Sequence, residues 1–169
     1  MRWSGLAIRD ALTLPKDAII KTAKGLYRVT TNRQRTGTHV SVPIPPKVAE
    51  EILAVPNDDP YIFWDGESDI VKTWTKYFIA PAFKAAKIHS GGYAVSHRLR
   101  DTFAVGLLEK GVPMEEVSRL LGHTSIRTTE KSYAKWSKGW QDRVDALVTG
   151  TWTKKQKPKT ARKSGARAA

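Results

Sequence analysis

Cysteine is absent from the 169 residues. That excludes a disulfide scaffold, a thiolate zinc site and a cysteine nucleophile, and it fits a reducing compartment. Long apolar runs are missing too. None approaches the roughly 20 residues that span a bilayer, and the opening MRWSGLAIRD lacks the apolar stretch of a signal peptide. Acidic residues are scarce: 16 Asp and Glu face 29 Lys and Arg, for a formal net charge of +13. The imbalance peaks in Thr151–Ala169, where Lys154, Lys155, Lys157, Lys159, Arg162, Lys163 and Arg167 occur without one acid. Such a balance points to a polyanion partner, nucleic acid foremost. What is present suffices for a core: 40% hydrophobic residues, with six Trp, five Tyr and four Phe. We therefore expect one domain over residues 1–150 and a basic, disordered tail over 151–169.

Periodicity predicts a mainly α domain with a small antiparallel β-sheet near the N-terminus. Ser4 to Leu14 reads as a short helix capped by Ser4 and closed at Pro15. Ala18–Thr22, Leu26–Thr30 and His39–Ile44 are β-prone and separated by turn residues at Lys24–Gly25 and Thr36–Gly37. Val40, Val42 and Ile44 alternate onto one face, and Pro43, which has no N–H to donate, places this strand at an edge. Pro46–Leu53 reads as a helix, Asn57–Ser68 as a turn-rich connection, and Asp69–Ile88 as a long helical pattern that Pro81 should kink or split. After a loop at His89–Gly92, Ser96 should cap a helix from His97 to about Lys110, with Leu99, Phe103 and Leu107 inward. Further helices follow from Pro113 to Gly122, from Ser125 to about Tyr133, and from Gly139 to Val148. Most of the tryptophans are expected to pack in the core or dock helices rather than stack on bases.

Two segments carry chemistry. In HRLRDTFA, His97 and Arg100 stand three apart at a helix start, on one face. A guanidinium there offers a planar fork for two phosphate oxygens, and the free helix amides add positive potential. In LLGHTSIRTTEKSY, Gly122 can end a helix in a left-handed turn. His123 then sits in the corner, and Tyr133 comes ten residues later. A surface Arg–His pair and a plain helix-turn-helix corner with a packed tyrosine are the simpler readings of each segment alone.

Taken together and in this order, HRLRDTFAV followed by LGHTSIRTTEKSYAKW closely resembles the tyrosine recombinase (phage integrase) family. SGLAIRDALTL resembles that family's first box, and RTGTHVSVPIP its catalytic hairpin. The resemblance runs from about Ser4 to Trp136 and implies the tyrosine recombinase catalytic-domain fold of DNA breaking-rejoining enzymes. It further implies cleavage and rejoining of double-stranded DNA through a 3′-phosphotyrosyl intermediate, with no cofactor, no metal and no small-molecule substrate. Tyr133 would attack the phosphate, Arg100 would clamp the non-bridging oxygens, His97 would take the tyrosine proton or hold the phosphate, and His123 would donate to the same phosphate. A phenol with a pKa near ~10 is ionised only about once in a thousand at neutral pH, so it needs help. Fixed donors stabilise the growing charge by ~3–4 kcal/mol each. Self-association on DNA and a cytoplasmic, nucleoid-associated location are also implied.

The sequence departs from the resembled pattern in places. The first box carries an arginine where this chain has Ala7; Arg9 lies two residues on, about 200° around a helix, and Asp10 keeps the acidic position. Arg35 stands where the hairpin carries a lysine, the general acid, and an arginine is a poor proton donor. Lys21 and Lys24 are nearby alternatives. The resemblance also leads us to expect a helical core-binding domain ahead of the first box. Only three residues precede Ser4, as in a fragment, a truncated gene or a misplaced start. A non-catalytic DNA-binding remnant is accordingly the alternative function. A plain helix-turn-helix module and an RNA-binding protein have less support. The helix over Gly139–Val148 can dock on a neighbouring subunit or fold back in cis.

Overall fold

Alternation fixes the register of the sheet. The computed structural model describes residues 1–56, 59–64, 66, 69–88, 95–136 and 138–152. In it strands β1 (Ile19–Lys21), β2 (Tyr27–Asn32) and β3 (His39–Ile44) form one antiparallel sheet in the order β1-β2-β3. Val29 pairs with Val42 and Asn32 with His39. Val40, Val42 and Ile44 are all buried, as period-two patterning requires. A slip of one residue would expose all three at once. Pro43 lies in the edge strand β3, as expected. The β2–β3 turn is closed by bonds from Arg33 N to Thr38 O and from Gly37 N to Arg33 O, with Gly37 at φ +67°.

Helices make up the rest. In chain order they are α1 (Ile8–Leu12), α2 (Pro46–Leu53), α3 (Ile70–Trp74), α4 (Ala80–Ala85), α5 (Val95–Glu109), α6 (Met114–Leu121), α7 (Ile126–Tyr133) and α8 (Lys138–Trp152). Among the described residues, none is long and apolar enough to cross a membrane. The chain is not interrupted at Pro81 but stays helical from Ile70 to Ala85 with a change of helix type. A π-helical turn, Thr75–Ile79, joins α3 to α4 and places Pro81 in the first turn of α4, where its missing N–H costs least.

Two expected caps are not formed. Helix α1 begins at Ile8, not after Ser4. Gly5 sits at φ +63° against Phe103 and Leu121, so the chain cannot be helical there. Ser4 instead accepts a bond from Leu6 N. Ser96 lies inside α5 and is buried rather than capping it. Ser125, by contrast, does cap α7 by accepting from Arg127 N. The expectation for the tryptophans is met only in part. Trp64 stacks on Tyr61, and Trp74 packs on Phe63 and Phe78. Trp3, Trp136 and Trp152 are exposed, and no tryptophan is among the buried core residues described. The expected loop at His89–Gly92 and the tail beyond Trp152 lie outside the described residues.

Two apolar cores flank the sheet strand that matters most. One gathers Leu6, Leu14, Ile19, Val29, Val40, Ile44 and Ile62. The other gathers Val42, Phe103, Ala104, Leu108, Val117, Leu121 and Tyr133. Strand β3 contributes to both through the same face. The polar cluster described next joins α1, the β2–β3 turn, α5 and the end of α6 across this junction.

Candidate active site

One carbonyl organises the polar cluster. Helix α6 ends with Gly122 at φ +66°, and the turn is locked by Gly122 N to Arg119 O (2.9 Å) and His123 N to Ser118 O (3.1 Å). This double closure satisfies two of the orphan carbonyls at the helix end. The Leu121 carbonyl remains for outside donors. It accepts Nη2 of Arg100 at 2.8 Å and Nη1 of Arg33 at 2.5 Å. Arg100 Nη1 donates to the carbonyl of Gly5. A buried arginine thus ties the first box to α5 and to the α6–α7 corner.

The α6–α7 turn then delivers His123 to Arg100. Arg100 Nη2 stands 3.0 Å from His123 Nε2. A guanidinium has donors only, so Nε2 accepts. Nδ1 must then carry the proton and donate to Thr129 Oγ1, 2.7 Å away. Thr129 is fully buried on α7, and the contact fixes the imidazole plane. Burial pushes the Arg100 guanidinium down to about 10, and the neighbouring Arg33 adds to this. His123 is lowered to about 4, first by burial and then by the charges of Arg100 and Arg33. At neutral pH the imidazole is therefore uncharged.

This has a consequence for folding. A histidine depressed from 6.5 to about 4 binds fewer protons folded than unfolded within that window. The stability it lends is complete above about 6.5 and is lost as pH falls towards about 4. Urea midpoints measured from neutral to mildly acid pH should fall more steeply for the parent than for His123→Asn. Parallel curves would show that His123 titrates normally.

Tyr133 ends α7 with its ring in the second core, 6% exposed. Its hydroxyl donates to Asp101 Oδ1 at 2.6 Å. Asp101 follows Arg100 on α5, and an ionised Tyr133 would act electrostatically on Arg100. The tyrosine also borders a cavity of about 1000 Å³ shared with Arg2, Arg98, Asp101 and Trp136. A buried ring with an edge on open space is both held and reachable.

Of the residues singled out by sequence, Arg100 and His123 come into contact, and Tyr133 lies near them through its bond to Asp101, the next residue after Arg100. His97 lies on α5 one turn before Arg100 and is exposed, whereas Arg100 is 4% exposed. Arg9 on α1 and Arg35 in the β2–β3 turn are exposed as well. Lys21 is exposed on β1, set over the Tyr27 ring, and Lys24 is exposed in the β1–β2 turn. Sequence reasoning passed over Arg33, Asp101 and Thr129. Asp101 and Thr129 lie inside the quoted motifs, directly after Arg100 and six residues after His123, and that closeness along the chain is the signal that points to them. Arg33 gives no such signal. Its Nε stands 2.6 Å from Asp10 Oδ2, which sits 23 positions earlier in the chain.

Comparison with known proteins agrees with this picture. The model of the phage integrase family matches residues 1–139. Tyrosine recombinase XerA of Pyrococcus furiosus is 27% identical over 131 residues, which are 75% of this chain and 45% of that protein. A tyrosine recombinase of Thermosipho africanus is 30% identical over 91 residues, 52% of this chain and 31% of that one. The chain thus spans less than half the length of either curated relative. Among solved structures, the catalytic domain of bacteriophage HP1 integrase superposes with a TM-score of 0.66 at 19% identity, covering 92% of this chain and 81% of that one. XerH site-specific recombinase, in a post-cleavage complex with palindromic difH substrate, gives a TM-score of 0.63 at 17% identity over 88% of this chain and 43% of that one. At these identities the structural likeness establishes the fold: a tyrosine recombinase catalytic domain.

Proposed function

This chain belongs to the phage integrase family, and from that premise we propose that it cleaves and rejoins double-stranded DNA through a covalent 3′-phosphotyrosyl link to Tyr133. The Tyr133 oxygen attacks the scissile phosphorus, and the bond from phosphorus to the 5′ oxygen breaks. The phenolic proton leaves its bond to Asp101 and passes to His97, unless His97 holds the phosphate instead, and the departing 5′ oxygen collects a proton from a general acid, for which Arg35, Lys21 and Lys24 are the candidates. Arg100 binds the non-bridging oxygens, with Arg9 a weaker candidate for a further contact. His123 donates to the same phosphate from Nε2 once its proton moves there from Nδ1, with the Thr129 hydroxyl then donating to Nδ1 across their 2.7 Å contact. Because the phosphodiester energy is kept in the phosphotyrosine, rejoining needs no nucleotide cofactor.

The observation that carries this reading is the Arg100–His123 contact beside Tyr133 (3.0 Å between Nη2 and Nε2). A buried cation with a neutral imidazole against it suits an oxyanion that gains charge in the transition state. The net charge of +13 supports a polyanion substrate. We place the reaction in the cytoplasm, on the nucleoid, with copies of the chain associating on DNA.

A DNA-binding remnant is the second reading, favoured by Ala7 in place of an arginine and by Arg35 in place of a lysine. A pool of nicked suicide duplexes with randomised flanks separates the two. After cleavage the short 5′ strand diffuses away, and the protein stays attached. A band that survives denaturing electrophoresis is expected at high protein and low salt. Salt-sensitive binding without that band would favour the remnant, and the loss of both would remove DNA from the account.

A further inference from the structure

We infer that Arg33, at the start of the β2–β3 turn, is a second phosphate-binding guanidinium of the active site, paired with Arg100 across the Leu121 carbonyl; this rests on the strand-cleavage reading above. The carbonyl is shared: Arg33 Nη1 and Arg100 Nη2 both donate to it, at 2.5 and 2.8 Å. Two guanidinium groups are thereby held side by side at the end of α6. The Arg33 side chain is only 11% exposed, so little water screens the pair.

The nearby carboxylates offset part of this charge but leave guanidinium donors unused. Asp10 faces Arg33, with Oδ2 2.6 Å from Nε, but the approach is off-line for a hydrogen bond. Its Oδ1 accepts the backbone N–H of Gln34 at 3.0 Å. Asp101 accepts from the Tyr133 hydroxyl. Arg33 Nη2 makes no hydrogen bond among the described residues. Two guanidinium groups and a neutral imidazole therefore converge beside their carboxylates with donors to spare, an arrangement that an oxyanion completes.

The backbone is shaped to admit Arg33. A Cβ on Gly122 would lie 2.8 Å from Arg33 Cγ and 2.7 Å from Val40 Cγ1. The glycine that turns the chain towards His123 thus also leaves room for the arginine stem. Gln34 Nε2 bonds Thr13 Oγ1 at 2.5 Å, anchoring the turn to the end of α1. Arg33 is held from three elements, with its fork at the same carbonyl as that of Arg100.

A strut that only joins the turn to α6 would look similar, so the test must see charge. Arg33→Gln keeps the stem beside Gly122 and a donor for Leu121. It is compared with the parent on two suicide duplexes, one with an ordinary scissile phosphate and one with a neutral methylphosphonate there. We expect Arg33→Gln to lose at least ~100-fold in adduct formation on the phosphate and to approach the parent on the methylphosphonate, which has no anionic charge to neutralise. Arg33→Lys should fall between them on the phosphate, since it keeps the charge without the fork. An equal defect on both duplexes would reduce Arg33 to a strut, and no defect would remove it from the site, while cleavage by Tyr133 stood. An absent adduct from the parent on both duplexes would overturn the cleavage reading and this inference with it.

Discussion

Tyr133→Phe leaves a folded chain that binds DNA and forms no covalent adduct. The ring of Tyr133 belongs to the core with Phe103, Leu121 and Val117, and phenylalanine fills the same space. What is lost is the hydroxyl, which donates to Asp101 at 2.6 Å. A hydrogen bond to a charged acceptor contributes about 1.5–3 kcal/mol, and its partial exposure here puts the loss at the low end. The urea midpoint should therefore drop slightly while the transition stays cooperative. Covalent capture has no such tolerance, because the variant lacks the oxygen that joins the phosphorus. Binding, measured by gel shift, should weaken steeply between about 50 and 200 mM salt in parent and variant alike, since phosphate contacts release counterions. An adduct from the variant at the parent's level would place the nucleophile on another side chain. A flat salt response would argue that the positive charge does not meet phosphates.

Much of this site was legible because its parts are local. The turn at Gly122 needs a residue that accepts positive φ, and the glycine between two apolar helices announces it. Ser125 is a cap by residue type and position, and its cap fixes where α7 starts and hence where Tyr133 ends it. The β3 alternation gave the buried face of the sheet, whereas Pro81 leaves the helical run unbroken because a π turn precedes it. The misses have a common origin in tertiary contacts. Ser4 and Ser96 look like caps, but Gly5 packed on Phe103 bars a helix at the first, and α5 has already begun at the second. The pairing of Asp10 with Arg33 joins α1 to a turn beyond two strands, and no periodicity encodes it. Between Arg33 and Arg35, only the fold tells which guanidinium turns inward: Arg33 reaches Leu121, and Arg35 is exposed.

Arg100→Ala should be the most damaging change that does not touch the nucleophile. Loss of a fixed oxyanion donor costs at least ~100-fold in cleavage, and here the same side chain also holds the site together. Gly5 O loses its donor, Leu121 O keeps only Arg33, and His123 Nε2 loses the N–H that orients it. A buried carbonyl left without a partner costs about 1–3 kcal/mol, so a lower urea midpoint accompanies the loss of cleavage. Folding and chemistry separate in Arg100→Lys. An ammonium keeps the charge but cannot serve Gly5, Leu121 and a phosphate at once. Stability should return in part, with cleavage still far below the parent. His123 supplies a reading independent of DNA. Its imidazole is held down to about 4 by burial and then by Arg100, so removing the guanidinium should raise its titration midpoint towards the ordinary value of 6.5, visible by NMR in the free protein. Cleavage unchanged in Arg100→Ala, with the His123 midpoint unmoved, would mean that the guanidinium neither grips the phosphate nor governs the imidazole beside it.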